Sequence, residues 1–332
     1  MLVLREAGII LLGSALLFST ELPQIVGKRF SSEMRFNFVS SIATDSSGVL
    51  YVVDRGNSRI VVLSPEGKFL RQIGGAGQGQ EDLMYPLGVA LDENKTVAIL
   101  DSGNQRVQFF SSEGRWIGQF RCVPPEARAY SLAIGGRDAI LLNQPTSGKL
   151  VSVYSRKGGI LKAFGSLLHS SEGYPGKPSD RFPEHLLNIA DLFPDRDGAV
   201  WVVFQFMPIV QHFSSKGHLD WRVRLSGSGA SAMEKSFWNE PGASKARSGL
   251  GVDGFSLPYF VSAATVTSHG NLALLLGNNT LIALDRAGHQ IEEARYRPAE
   301  NSASVAALGE HDGILFFGQF QSLFRSETNV SF

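Results

Sequence analysis

Cysteine is almost missing from this sequence of 332 residues, in which Cys122 stands alone. A single cysteine excludes an internal disulfide and a cysteine-based zinc cage. The sequence also has no excess of positive or negative charge, because 31 Lys and Arg residues balance 31 Asp and Glu residues. A neutral chain has no overall field that attracts nucleic acid or acidic lipid. We therefore expect no nucleic-acid partner; RNA binding would require Lys and Arg clustered on one surface.

Long hydrophobic runs are scarce as well. The apolar run Gly8–Phe18 follows Arg5 and has 11 residues, whereas a membrane-spanning helix needs about 20. This pattern predicts that residues 1–20 are a secretory signal peptide and that the protein is secreted or periplasmic. An uncleaved membrane anchor over residues 8–18 and an additional buried strand are the alternatives. In the anchor case the membrane contact would be confined to this segment.

Histidine motifs that hold metals are missing from the sequence. The seven histidines are scattered, without H-x-H or H-E-x-x-H spacing. His169 and His185 border a segment that also contains Glu172, Asp180 and Glu184, and these five residues are the one candidate metal or acid–base cluster. A solvated loop is the simpler interpretation, because surface histidines are more often turn residues than ligands. No cofactor and no metal are therefore predicted.

One pattern of strands and turns occurs twice between residues 42 and 120. Asp54 and Asp101 are 47 residues apart, and so are Gly67 and Gly114. In each copy, short runs rich in Val, Ile, Leu and aromatic residues alternate with turn-forming Asp, Ser, Gly and Asn. A period in the 40s made of such units is typical of propeller blades. The predicted fold class is all-β.

A hairpin with the pattern Asp-x-Gly-Asn-x-Arg lies in each copy. We expect Asp54 to face Arg59 across the first turn, and Asp101 to face Arg106 across the second. The pairs are open to two interpretations, a clamp for a charged ligand or a lock for the turn. An exposed pair of this kind contributes about 0 to 1 kcal/mol. We expect the lock.

With this hairpin and the apolar strand that follows it, the two copies resemble NHL repeats over residues 38–120. The resemblance implies a closed six-bladed β-propeller over residues 21–332. It also implies a protein that binds protein, nucleic acid or small ligands, since enzymes are a minority among NHL-type propellers.

The rest of the chain contains weaker copies and one orphan strand. The later blades are predicted at Tyr130–Phe164, Asn188–Leu225, Tyr259–Tyr296 and from Ser304 onward. The last of these ends after a third strand near Leu323, whereas Leu22–Gly27 has the pattern of an outer strand and precedes every complete blade. We predict that Gln24–Val26 pairs with the region of Leu323 and closes the sixth blade, because closure removes exposed sheet edges.

Two long insertions interrupt the blade period, at residues 165–187 and 226–258. Both connect an outer strand to the next inner strand, so both are predicted on one face, beside the mouth of the central channel. Repeat proteins often bind on the face where insertions collect. The second insertion is rich in Gly and Ser and also has basic and aromatic residues: Lys235, Phe237, Trp238, Lys245 and Arg247. It is either a mobile lid with aromatic anchors or a loop whose aromatics fold back on the blades.

The functional hypothesis is a monomeric binding module or scaffold whose partner is a protein or a small molecule. The candidate binding residues are Arg35, Arg55, Tyr85, Tyr130, His185, Asp191, Trp238 and Tyr259. The alternative is a metal-dependent hydrolase or lyase of the lactonase-like or amidating-lyase-like kind. That alternative would use Asp191, Asn188, His185 and Glu184, although a catalytic metal needs about three converging ligands.

Overall fold

Short apolar strands and tight turns form six radial sheets in the computed structural model of the chain. The model describes residues 22–30, 34–122, 127–136, 139–174, 183–195, 197–239, 259–298, 305–319, 321–327 and 329–330, with the backbone alone for 237–239. The predicted leader, residues 1–20, lies outside this set.

Strand β1 is Gln24–Arg29 and precedes every blade. The strands of the first four blades are β2 Val39–Thr44, β3 Leu50–Asp54, β4 Arg59–Leu63 and β5 Phe69–Ile73; β6 Gly88–Leu91, β7 Val97–Asp101, β8 Arg106–Phe110 and β9 Trp116–Arg121; β10 Ser131–Ile134, β11 Ile140–Asn143, β12 Val151–Tyr154 and β13 Ile160–Phe164; β14 Ala190–Pro194, β15 Val200–Phe204, β16 Ile209–Phe213 and β17 Leu219–Arg224. The last two blades contain β18 Val261–Val266, β19 Leu272–Leu276, β20 Thr280–Leu284 and β21 Gln290–Arg297; β22 Ala307–His311, β23 Ile314–Gly318 and β24 Leu323–Ser326.

The first four blades are separate four-stranded antiparallel sheets, and strand β1 joins the fifth and sixth blades into one eight-stranded sheet. The inner strands β2, β6, β10, β14, β18 and β22 are neighbours in that order, and β22 lies beside β2 again. The predicted all-β, six-bladed propeller is therefore confirmed, and so is its closure by an N-terminal strand.

The register of strand β1 differs from the prediction. Gly27–Arg29 pairs antiparallel with β24, with Gly27 opposite Ser326. Gln24–Val26 is not paired in register with β24 but pairs parallel with β21 of the fifth blade, with Ile25 opposite Tyr296. It is joined to the sixth blade by a backbone hydrogen bond from the N–H of Glu327 to the carbonyl of Val26, at 3.0 Å. The physical reason is that one six-residue strand crosses from the outer edge of one blade to that of the next, and so covers both edges in succession.

The core lies between neighbouring blades. Every residue of β3, β7, β15 and β19 is buried, because both faces of these middle strands pack against other sheets. The outer strands are largely exposed, as in β13. Burial of this apolar surface is the main force that holds the ring together.

The carboxylates of the two predicted hairpins are buried inside the turns. Oδ2 of Asp54 accepts a hydrogen bond from Nε of Arg59 at 2.8 Å, and Oδ1 accepts one from the backbone N–H of Asn37 at 2.7 Å. Asp101 likewise accepts from Arg106 Nε at 2.7 Å. The geometry supports the turn lock. The contribution of about 0 to 1 kcal/mol that holds for an exposed ion pair does not apply here, because both carboxylates are fully buried.

Three helices lie in the insertions: α1 Ser170–Gly173, α2 Glu184–Leu187 and α3 Gly227–Asn239. The start of the second insertion is thus a helix rather than the predicted lid or loop. It is held by Ala230 and Met233, which pack into the apolar cluster of the fourth and fifth blades. Residues 240–258, including Lys245 and Arg247, lie outside the described set. None of the helices in the described part of the chain is long and apolar enough to cross a membrane.

Candidate functional site

A central channel of about 520 Å³ lies between the inner strands of the six blades. Small side chains on its wall, such as those of Ala43 and Ala90, leave the space open. Two of the wall hydroxyls are already used in the fold. Ser40 donates to the carbonyl of Leu87 at 3.1 Å, and Ser131 donates to that of Ala190 at 2.7 Å. Among the described residues, the charged and phenolic side chains of the wall are those of Arg55, Tyr130, Asp191 and Tyr259.

Arg55 reaches the channel because of the turn that follows strand β3. Its backbone N–H donates to the carbonyl of Phe38 at 3.0 Å, which ties the turn to the start of the first inner strand. The guanidinium carbon lies 5.6 Å from the centre of the Phe38 ring, a cation–π contact. Burial lowers the pKa of Arg55. The protein thus holds a partly dehydrated positive charge at the mouth.

Two tyrosines line the same mouth. Tyr130 precedes strand β10, and the guanidinium of Arg128 lies 6.0 Å from its ring centre. Tyr259 precedes strand β18 and stacks on Phe206, with 5.1 Å between ring centres and 21° between planes. Burial raises the pKa of both phenols. Both rings therefore offer an apolar face and a protonated hydroxyl to the channel.

Among the described residues, Asp191 is the one Asp or Glu whose side chain lines the channel. Its Oδ1 accepts a hydrogen bond from Nε2 of Gln205 at 3.0 Å. Burial raises the pKa of Asp191 from 3.8 to about 6, although the hydrogen bond from Gln205 acts in the opposite direction. The side chain is surrounded by protein and yet lines the channel, so it can exchange a proton with a ligand.

The structure brings four of the eight candidate residues to the channel and leaves the others apart from it. Arg55, Tyr130, Asp191 and Tyr259 line the cavity. The remaining candidates do not line the cavity: Arg35 is exposed, Tyr85 is 57% exposed although its phenol lies near Arg55, and His185 lies half-buried in helix α2. Trp238 lies in helix α3, and its side chain is outside the described set. Whether any of the eight binds a ligand stays a prediction.

Asn188, one residue of the alternative metal site, is engaged in structural contacts. Asn188 is fully buried, donates to the carbonyls of Leu168 and Glu184 at 2.9 and 2.8 Å, and accepts from the N–H of Leu168. Its amide therefore cannot turn toward Asp191 without breaking these bonds. Within the described residues, no group of three or more His, Cys, Asp or Glu side chains is placed to hold a metal ion.

The candidate cluster around His169 caps a short helix. His169 Nδ1 accepts from the N–H of Ser171, and Glu172 accepts from the N–H of His169, so the two side chains cap helix α1. His169 Nε2 lies 3.0 Å from Glu184, and Glu172 pairs with Arg222. Asp180 lies outside the described set. These partners favour the interpretation as a solvated loop.

Three residues in or beside the mouth were not selected from the sequence: Phe38 and Gln205, which line the channel, and Arg128, which lies beside Tyr130. Two of them occupy repeat positions that could have been recognised in the sequence. Phe38 and Tyr85 are 47 residues apart and both have positive φ, 68° and 45°. Gln205 directly follows the second strand of its blade, just as Arg55 follows β3. Arg128 could not have been recognised, because the linker in which it lies has no counterpart in the other blades.

Comparison with known proteins supports the architecture. Residues 31–122 match a family model, DUF5128, described as a 6-bladed beta-propeller. No curated protein sequence matches the chain significantly.

Several solved structures share the fold. A streptogramin B lyase structure is 11% identical with a TM-score of 0.56, and the alignment covers 92% of this chain and 98% of that one. A catalytically inactive variant of virginiamycin B lyase from Staphylococcus aureus with quinupristin is 12% identical, with a TM-score of 0.54 and coverages of 92% and 86%. The WD40 beta propeller domain of Doa1 is 10% identical, with a TM-score of 0.52 and coverages of 87% and 78%. At these identities the likeness concerns the fold alone.

Proposed function

We propose that this protein is a binding propeller that takes a ligand into the mouth of its central channel, on the face that carries the insertions. The observation that carries the proposal is the placement of Arg55, Tyr130, Asp191 and Tyr259 around one cavity of about 520 Å³. Small-molecule sites commonly occupy roughly 300–1,000 Å³ and combine an apolar wall with a few polar groups. This cavity has the same combination.

The electrostatic state of the mouth gives further support. Burial disfavours the charged forms of both Arg55 and Asp191. A folded protein gains nothing for its own stability from charges held in this way. Groups perturbed by burial inside a cleft are common at functional sites.

A blocking substitution tests the proposal. Ala306 is half-buried and lines the channel, whereas Ala287 lies exposed in the turn between β20 and β21, which is on the opposite face. We expect fragments that bind the wild type in ligand-observed NMR to lose binding in Ala306→Phe and to keep it in Ala287→Phe. The proposal fails if fragments bind both variants equally well, or if no fragment binds the wild type.

A second candidate function is proton-transfer catalysis, and the pKa of Asp191 favours it. A carboxyl with a pKa of about 6 can act as a general base near neutral pH. The likeness to lyases adds nothing beyond the fold. Metal analysis of the purified protein separates a metal-dependent reaction from a metal-free one. Stoichiometric Ca or Zn that is lost in Asp191→Ala would favour the metal-dependent hydrolase or lyase.

The proposal also includes an NHL-type repeat, a monomeric state and export from the cytoplasm. The apolar run Gly8–Phe18 supports export, and the two Asp-x-Gly-Asn-x-Arg hairpins support the NHL type. Mass spectrometry of the mature N-terminus from cell fractions tests export. An intact Met1 in the cytoplasmic fraction would contradict it.

A further inference from the structure

Arg55 lines the channel mouth, and Arg128 lies beside it against the ring of Tyr130, which also lines the mouth. Arg128 lies close enough to Arg55 for its positive charge to lower the pKa of Arg55. The other described groups that act on Arg55 electrostatically are the phenols of Tyr259 and Tyr85. Across the described residues, no ion pair to either arginine is formed. Two neighbouring positive charges that no described carboxylate neutralises favour the binding of an anion.

The two arginines lie against aromatic rings, which strengthens the case. Arg55 lies over Phe38 at 5.6 Å and Arg128 over Tyr130 at 6.0 Å. When a guanidinium stacks on a ring, the N–H groups at its edge stay free. These donors match the oxygens of a carboxylate or a phosphate. Burial at the mouth also removes part of the water that would otherwise screen the charge.

The channel wall contains charged groups of both signs, Arg55 and Asp191. Both charged groups lie near Tyr259, because, beside the burial that raises the pKa of this phenol, Arg55 lowers that pKa and Asp191 raises it. Arg55, Asp191 and Tyr259 all line the same cavity, so a positive and a negative group lie near one phenol. An anionic group is attracted to the arginine side and repelled from the Asp191 side, which orients the ligand.

We propose that the ligand of this site carries an oxyanion, either a carboxylate or a phosphate, on a flat apolar body. Arg55 and Arg128 bind the oxyanion, and the rings of Tyr130 and Tyr259 contact the body. The inference rests on the proposed function, since it names the ligand class of the same channel mouth. The stack of Tyr259 on Phe206 presents the flat surface that such a body needs.

Three probes with the same ring test the inference by isothermal titration calorimetry: benzoate, phenyl phosphate and the neutral benzyl alcohol. We expect at least one anion to bind the wild type about tenfold or more tightly than benzyl alcohol, since a charge-assisted hydrogen bond contributes this much. The preferred anion distinguishes a carboxylate source from a phosphate source. Raised salt should weaken the anions and leave benzyl alcohol unchanged.

Matched variants assign the effect to the arginines. Arg55→Gln and Arg128→Gln should each reduce anion affinity about tenfold and leave benzyl alcohol unaffected. Arg115→Gln is the control, because Arg115 is 79% exposed in the turn between β8 and β9, on the opposite face. Arg128 is exposed, so its variant keeps the test valid even if Arg55→Gln perturbs folding.

The outcomes separate this inference from the proposed function. If benzyl alcohol binds as tightly as both anions, or neither anion binds at millimolar concentration, the oxyanion inference is wrong. The same holds if the two arginine variants keep full anion affinity. If Ala306→Phe binds every probe as the wild type does, the channel is not the site, and the proposed function fails.

Discussion

Asp101 and Arg106 form an ion pair of 2.7 Å in which the carboxylate is fully buried and the arginine side chain is 7% exposed. In the equivalent pair of the first blade, the side chain of Arg59 is 23% exposed. Arg106 also donates to the carbonyls of Gly79 and Asp82 at 2.7 and 2.8 Å. The same motif thus has two degrees of burial, and the second copy also fixes the linker between the blades.

Replacing these arginines should therefore have unequal effects on stability. Arg106→Met leaves a buried carboxylate without its cation, so we expect a loss of about 3–5 kcal/mol of unfolding free energy. Arg59→Met should cost clearly less, because water reaches the freed carboxylate more easily. Urea denaturation of both variants measures the difference. Equal losses would show that burial does not determine the strength of the lock.

The hairpins and the closing strand were readable from sequence because their signals are local. The pattern Asp-x-Gly-Asn-x-Arg dictates its own turn, and Leu22–Gly27 was recognisable as an unpaired outer strand. The register of that strand was not readable. Its first half pairs with β21, and no local rule says that one strand will cover two edges.

Helix α3 and the position of Arg128 beside the mouth could not be predicted, because tertiary contacts create them. The helix begins Gly227-Ser228-Gly229, a poor helix-forming start. Arg128 reaches the mouth through a linker without a repeat, whereas Arg55 follows a predicted strand. Local patterns therefore placed the blades, and the placement of the linkers determined which side chains meet.

The closing strand offers a test of the ring through two adjacent residues. Ile25 is 6% exposed and belongs to the apolar cluster around Tyr296 and Phe324, whereas Val26 is 36% exposed on the other face. We expect Ile25→Ala to lower stability by about 2–5 kcal/mol, the usual cost of emptying a core position. Val26→Ala should change it by about 0.5 kcal/mol or less.

Thermal unfolding followed by circular dichroism compares the two variants. Because Ile25 lies opposite Tyr296, its loss should also expose the edges of β21 and β24 and promote aggregation on heating. If Val26→Ala proves to be the more damaging substitution, strand β1 presents the opposite face to the core.

Helix α3 depends on one carboxylate at its N-terminus. Oε1 of Glu293 accepts from the N–H of Gly229 at 2.8 Å and from the hydroxyl of Ser228 at 3.0 Å. Glu293→Gln removes the negative charge beside the helix N-terminus, which typically contributes about 0.3–1 kcal/mol. Hydrogen exchange in residues 229–239 should therefore be faster in Glu293→Gln than in the wild type. The neighbouring Glu292→Gln serves as the control, and equal exchange in the two variants would contradict the role of Glu293.

Asp191 should make the protein less stable as the pH rises. The pKa of its carboxyl is about 6 in the folded protein, against 3.8 as the ordinary value. Between these values the folded state holds the proton more tightly than the unfolded chain does. Stability therefore falls from pH 4 to pH 6 and then levels off. The cost at neutral pH reaches up to about 3 kcal/mol.

Asp191→Asn should remove this cost while keeping an oxygen that accepts the hydrogen bond from Gln205. We expect the variant to exceed the wild type in stability at pH 7 and to match it near pH 4, in urea denaturation across that range. The exposed Asp197→Asn is the control and should follow the wild-type curve. A variant that is no more stable than the wild type at pH 7 would rule out a strained carboxyl in the channel. The expected gain would mean that the fold carries Asp191 at a cost, as proteins do with groups positioned for a ligand or for proton transfer.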